Sequence, residues 1–308
     1  MYDPQLKKIV RETILSIQNE MSQMAPFMAG AVDRWVKQLA RTPNPEDYYL
    51  HPKAFPMLLL PWWMEETFRP SPDIAFQSAV IYSSISGYYY TRLVDNLMDE
   101  GGEEERRLLP AAHFFLYQSQ MVYYPYFQAG HFFWWSFLNT LVQAGETAMR
   151  DAGVVDIDLA IFREVSAQKI CGAKIPIAAV GYYHNQTDLI DPWSAFVDLF
   201  GCWHQMTDDI FDWHQDLQLG SPTYFLSEGK RQVGAAVEDV AAWVIKDGFD
   251  WGCDLLDSWL SDLRKMAQEI QSPSLMAYLD LREELFQKQT SEARRGLKSL
   301  AQSLSVIG

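Results

Sequence analysis

Asp208-Asp209-Ile210-Phe211-Asp212-Trp213-His214-Gln215-Asp216 sets four carboxylates into nine positions of a stretch that otherwise reads as an amphipathic helix. A helix turns about 100° per residue, so Asp208 and Asp212 stand about 40° apart on one face. Asp209, Asp216 and Gln205 fall in the same stripe. Like charges at this spacing repel and weaken an isolated helix. Cations seated between the carboxylates relieve that repulsion, and an all-oxygen donor row suits a hard divalent ion. The flanking Phe200, Trp203, Met206 and Ile210 argue against a simple solvated face. An exposed acidic patch in an acidic protein is the plainer alternative.

Outward from this stretch, helical periodicity continues in both directions, with no useful run of strand-like alternation and no glycine-rich phosphate loop. Asp191-Pro192 starts the acidic helix, and Gly220-Ser221-Pro222 ends it. Upstream, Asp156 to Val180 reads as a helix with Gly172 and Pro176 inside it. Proline removes a backbone donor and clashes one turn back, which predicts a break near 172–176, just after Lys169. Further helices fit 4–22, 26–41, a shorter 51–66 interrupted by Pro61, and 74–100 capped by Ser71-Pro72-Asp73. Beyond the acidic stretch, helices fit 227–246, 249–270 and 274–302. Between Arg107 and Glu146 no residue carries a formal charge. Gln118, Gln120, Pro125, Gly130 and His131 interrupt that stretch, which reads as a buried helical hairpin, with a membrane-surface face as the alternative. No linker or repeat appears, so residues 1–308 read as one all-α domain of about ten helices.

The bulk numbers exclude some functions. A net charge of -15 argues against nucleic acid, which is bound by Lys and Arg neutralising phosphates. Cys171, Cys202 and Cys253 are an odd number without a CxxC and read as reduced thiols of a cytoplasmic protein. The N-terminus carries Lys7, Lys8 and Arg11 and lacks the apolar run of a signal peptide.

A second acidic cluster, Asp95-Asn96-Leu97-Met98-Asp99-Glu100, closes the 74–100 helix. Asp95 and Asp99 are four apart, and Arg92 and Tyr88 share their stripe. A helix C-terminus is already electronegative, so carboxylates there need a counter-charge. Mg²⁺ takes few protein oxygens and completes its shell on substrate phosphates. Such phosphates call for nearby cations, and Arg92, Arg106, Arg107, Lys169, Lys174, Lys230 and Arg231 are the candidates. No Glu-x-x-His occurs, which speaks against a di-iron bundle.

An acidic cluster ending one helix, a Lys before a broken helix, and then Gln205-x-x-Asp208-Asp209-x-x-Asp212-x-x-x-Asp216 together resemble the class I isoprenoid synthases. That superfamily comprises trans-prenyl diphosphate synthases, squalene and phytoene synthases, and class I terpene synthases. The second motif, with Gly220 after it, is similar to that of prenyl synthases, while Asp95-x-x-x-Asp99 is closer to squalene and phytoene synthases. The Gly-Lys-Arg motif of isopentenyl-diphosphate binders is reduced to His51-Pro52-Lys53-Ala54-Phe55-Pro56. The Asn-Ser/Thr-Glu pattern of cyclases is also missing.

The resemblance implies an all-α bundle around a central apolar cavity, with both acidic helices at its mouth. It implies Mg²⁺, three ions, with Mn²⁺ as a substitute, held by Asp95, Asp99, Asp208, Asp209, Asp212 and Asp216. Asp95, Asp99, Asp208 and Asp212 become the catalytic set; Arg92, Arg106, Arg107, Lys169 and Lys230 would take the diphosphate of an allylic prenyl diphosphate. By subtraction the expected reaction is that of a terpene cyclase. The alternatives are a prenyltransferase, elongating or head-to-head, and a non-catalytic helical relative serving as a partner subunit. A homodimer and a peripheral membrane contact stay open. Helical spacing carries the Asp95 stripe back through Tyr88 and Ile81, and the Asp208 stripe through Gly201 and Val197. The expectation is a prenyl pocket lined by Ile81, Tyr88, Val197, Gly201 and Gln205, with the missing side chain of Gly201 leaving space.

Overall fold

Caps and breakers in the sequence set most of the helix ends. The computed structural model describes residues 2–99, 102–151 and 156–307, where every regular element is a helix. The α-helices are α1 (Pro4–Met24), α2 (Pro26–Ala40), α3 (Glu46–Leu50), α4 (Leu60–Glu66), α5 (Ile74–Asp99), α6 (Glu103–Met121), α7 (Phe132–Asp151), α8 (Leu159–Lys169), α9 (Lys174–Tyr183), α10 (Ile190–Phe211), α11 (Trp213–Leu219), α12 (Tyr224–Val233), α13 (Val237–Trp243), α14 (Phe249–Ile270) and α15 (Pro273–Ile307). Side-chain oxygens of Asp3, Asp73, Asp158 and Thr223 accept from backbone amides in the first turns of α1, α5, α8 and α12. Gly220, at φ 69°, supplies the left-handed residue that ends α11.

Three expected boundaries shift. Pro61 starts α4 instead of interrupting a helix, because a first-turn proline forfeits no helical hydrogen bond. The expected 227–246 helix is two, α12 and α13, divided at Gly234, whose φ of 95° no helix accommodates. The acidic helix yields at Asp212 (φ -98°, ψ 6°), so α10 passes into α11 through a local bend. The amides of Asp212 and Asp216 still reach the carbonyls of Asp208 and Asp212, at 2.9 and 3.1 Å.

The chain packs as two compact units, Met1–Thr140 with Gly172–Asp191, and Leu141–Cys171 with Pro192–Gly308. In the first, α1 buries Leu6, Ile9, Val10, Ile14 and Ile17, and α5 pairs with α6 as a hairpin. Glu65, fully buried, ties α4, α5 and α9 together. It accepts from the Asp73 amide (2.6 Å) and Gln77 Nε2 (2.7 Å), and it meets Arg69 and His184 at 3.2 Å each. Burial holds His184 below the usual imidazole range. Tyr48 and Tyr49 from α3 pack on Tyr88 and Tyr89 of α5, with the Tyr48 and Tyr88 hydroxyls hydrogen-bonded. The uncharged stretch between Arg107 and Glu146 forms most of α6 and α7, but α6 pairs with α5, and the stretch is not wholly buried. Tyr124, Phe132, Trp135 and Leu138 are exposed, because an uncharged stretch need not be an inward-facing one. Among the described residues no helix is long and apolar enough to cross a membrane.

The second unit is built on α10, which buries Trp193, Phe196, Val197, Phe200, Trp203, Met206 and Ile210. From α15, the buried Arg282 lies over the rings of Phe200, Trp203 and Tyr278 at 5.4, 5.0 and 5.8 Å and donates to the Tyr278 hydroxyl at 3.0 Å. Ring faces and that hydroxyl temper the cost of burying the guanidinium.

Candidate functional site

The candidate residues form two local arrangements, one in each unit. In the first, Asp95 lies one turn before the end of α5, and its counter-charge is local. Arg92 donates from one guanidinium nitrogen to Asp95 Oδ2 at 2.9 Å and from the other to Asn96 Oδ1 at 3.4 Å. Both partners are partly exposed, 39% for Arg92 and 42% for Asp95. Asp99 is the last residue of α5, and its side chain lies outside the described residues. One turn before Arg92, Tyr88 is committed to Tyr48; burial pushes its phenol well above the usual range, and the Arg92 charge opposes that only in part. Ile81, two turns earlier, is fully buried. Arg106 and Arg107 are exposed in the first turn of α6, where Arg107 pairs with Glu103.

In the second unit the acidic stretch divides by burial. Asp208 and Asp212 are exposed, Asp216 is half-buried, and Asp209 faces inward with 4% of its surface exposed. Gln205 Nε2 donates to Asp209 Oδ1 at 2.8 Å, an i, i+4 contact. Burial pushes the Asp209 carboxyl up to about 7; Asp216 and Asp208 add to the rise, while Gln205 and the Lys169 charge oppose it. Asp216 is also raised, by burial and then by Asp212. Adjacent aspartates on one helix are thus given different chemistry by what packs beside them.

Lys169 is the last residue of α8. The helix breaks there as the sequence predicts: Ile170 leaves the helical region (φ -105°, ψ 6°), Cys171–Ala173 form a 3₁₀ turn, and Pro176 lies in the first turn of α9. Lys230 is exposed on α12, while Arg231 is bound to Asp156, Glu228 and the Ile157 carbonyl.

Gly201 does not leave the space expected of it. A Cβ there would stand 2.6 Å from Ile170 Cγ1, 2.8 Å from its Cδ1 and 3.3 Å from the Ser166 carbonyl oxygen. The space of the absent side chain is filled by Ile170, the residue after α8, so Gly201 is a contact point between α10 and the end of α8. Val197, one turn earlier, is fully buried. Sequence reasoning also missed Ile170, Tyr48, and the His204–Arg282 pair. Burial, and then the Arg282 charge, lower His204 to about 4. A lone isoleucine at a helix end and a tyrosine in a five-residue helix carry no periodic signal that would have singled them out.

Among the described residues no three His, Cys, Asp or Glu side chains converge as a ready-made metal cage. The donors at hand are carboxylate oxygens, which fits Mg²⁺ bound through one or two carboxylates and substrate phosphates.

No protein-family model and no curated protein matches the chain. Solved structures do. A geranylgeranyl pyrophosphate synthetase from the archaeon Geoglobus acetivorans superposes with a TM-score of 0.65 at 12% identity, covering 92% of this chain and 99% of that one. A geranylgeranyl pyrophosphate synthase from Lactobacillus brevis ATCC 367 gives 0.56 at 16% identity, covering 87% and 99%. The chain has the all-α fold of these two geranylgeranyl pyrophosphate synthases.

Proposed function

We propose that the chain is a Mg²⁺-dependent enzyme acting on prenyl diphosphates, and that its reaction is prenyl transfer, elongating or head-to-head. The observation that carries the reading is the division of the Asp208–Asp216 stretch: exposed Asp208 and Asp212, with an inward Asp209 held by Gln205 and stabilised by Lys169. It occurs in a chain with the fold of two geranylgeranyl pyrophosphate synthases. This favours transfer over the cyclisation expected from the sequence.

In this reading Asp95 and Asp99 in the first unit, and Asp208, Asp212 and Asp216 in the second, would each offer oxygens to ions, while Asp209 would orient Gln205 from inside. Arg92, Arg106 and Arg107 in the first unit, and Lys169 and Lys230 in the second, would bind and orient diphosphate. Mg²⁺, or Mn²⁺ in its place, would supply Lewis-acid stabilisation of the departing diphosphate. Aromatic rings of the first unit, Tyr88 among them, would receive the prenyl chain. A cation formed on that chain is stabilised by ring faces, by roughly 0.5–2 kcal/mol each.

One observation favours a second reading, cyclisation of a single allylic diphosphate. The stretch His51–Pro56 offers one lysine where isopentenyl-diphosphate binders carry a Gly-Lys-Arg cluster. Incubation with Mg²⁺ and C10, C15 or C20 allylic diphosphates, with and without isopentenyl diphosphate, separates the two. Longer products that require isopentenyl diphosphate, or coupled dimers, establish transfer. Cyclic hydrocarbon or cyclic alcohol of unchanged carbon number establishes cyclisation. No diphosphate release under any condition rejects both.

A further inference from the structure

We propose that Ile170 and Gly201 form a lock that sets how far Lys169 reaches toward the carboxylates at the end of α10, making Ile170 a positioning residue for diphosphate capture. The inference rests on the proposed diphosphate role of Lys169.

The geometry of the lock is tight. Ile170 Cγ1 and Cδ1 lie 2.6 and 2.8 Å from the place a Cβ of residue 201 would take, closer than carbon atoms approach without displacement. The Ser166 carbonyl oxygen stands 3.3 Å from the same point. Cys202, the next residue on α10, donates its thiol to the Arg163 carbonyl at 3.7 Å. Positions 163, 166 and 170 are spaced three and four apart, so one face of α8 lies along α10. Its last contact is the socket at Gly201.

That last contact coincides with the end of the helix. Ile170 has already left helical geometry, and Lys169 immediately before it is the final helical residue. Fixing Ile170 therefore fixes the backbone from which the Lys169 side chain departs. Eight residues separate Gly201 from Asp209, about 12 Å along the helix, and a lysine side chain starting beside the first can span much of that distance. A glycine at 201 is thus tied to the placement of the Lys169 cation at the end of α8.

The test is calorimetric titration of inorganic diphosphate with Mg²⁺ into the full chain, together with steady-state kinetics on the best prenyl diphosphate. Gly201→Ala should weaken diphosphate binding about tenfold by displacing Ile170 and with it Lys169, and should raise KM more than it lowers kcat. Adding Ile170→Ala to Gly201→Ala should restore binding to within about twofold, because the smaller side chain vacates the socket. In a Lys169→Ala background, Gly201→Ala should have no further effect on diphosphate affinity. Ile170→Ala alone keeps the native glycine and should also weaken binding, so the lock is tested even where Gly201→Ala fails to fold. Wild-type affinity in both single variants, or an equal loss with and without Lys169, overturns the lock while leaving the proposed function standing. A wild-type chain that binds no diphosphate with Mg²⁺ overturns the proposed function and the lock with it.

Discussion

At the end of α5, Asp95 meets a guanidinium three residues away, 2.9 Å distant, with both side chains about two-fifths exposed. At the end of α10, Asp209 meets an amide at 2.8 Å and is almost fully buried, with Lys169 acting on it from α8. Exposed pairs of the first kind are screened by water, contribute about 0–1 kcal/mol, and exchange partners readily. The second kind pays for desolvation and is repaid only in part, which is why Asp209 sits near 7 instead of in the carboxylate range. A carboxylate that can trade Arg92 for an ion is suited to binding. One that is buried and hydrogen-bonded is suited to holding its neighbours in place.

The largest effect expected from this contrast is on turnover. Asp208→Ala and Asp212→Ala should each lower the rate of diphosphate release by at least about 100-fold, the scale on which electrostatic stabilisation is lost with one group. Their thermal midpoints should not fall, since each substitution also removes like-charge repulsion. Diphosphate release by Asp212→Ala within a few-fold of wild type would mean that the exposed carboxylates are not the binding ones.

The next effect is on stability, and its sign follows from the proton count. The Asp209 carboxyl is at about 7 when folded, above its unfolded value of 3.8, so the folded chain holds an extra proton between those values. Its contribution is favourable at low pH and is lost as pH rises from about 4 through 7. In metal-free protein, Asp209→Asn should be more stable than wild type at pH 8, by on the order of 1–3 kcal/mol, and should lose that advantage toward pH 4. Melting curves at both pH values read this directly. A variant less stable than wild type at pH 8 would show that the inward carboxylate is better solvated than its burial implies.

The smallest effect belongs to the exposed pair. Arg92→Ala should change folding stability by no more than about 1 kcal/mol. It should nonetheless weaken Mg²⁺-dependent diphosphate binding several-fold, because a cation of the proposed site is gone. A large drop in melting temperature would erase the distinction between the two acidic helix ends.

How far these arrangements could be read from the sequence depends on the range of the interactions behind them. Helix identity, the break after Lys169 and the caps at Asp73 and Gly220 follow from local chemistry, and they appear where expected. Asp208 and Asp209 could not be told apart, because a stripe about a quarter-turn wide does not say which edge a neighbouring helix covers. Gly201 was misread for the same reason. A missing side chain means space only until another element is seen to fill it, and Ile170 comes from the end of a different helix. The bend at Asp212 and the division at Gly234 likewise separate elements that the pattern joins.

The tyrosines packed between α3 and α5 have a consequence at the alkaline end of the pH scale. Burial raises Tyr49, Tyr88 and Tyr89 well above the ordinary phenol value of 10. Above that pH an unfolded chain would release protons that the folded one retains, so stability declines as pH climbs past 10. Phenolate absorption from these packed tyrosines should therefore appear during an alkaline titration only as the first unit comes apart. That absorption is an unfolding curve, obtained without heat, denaturant or label.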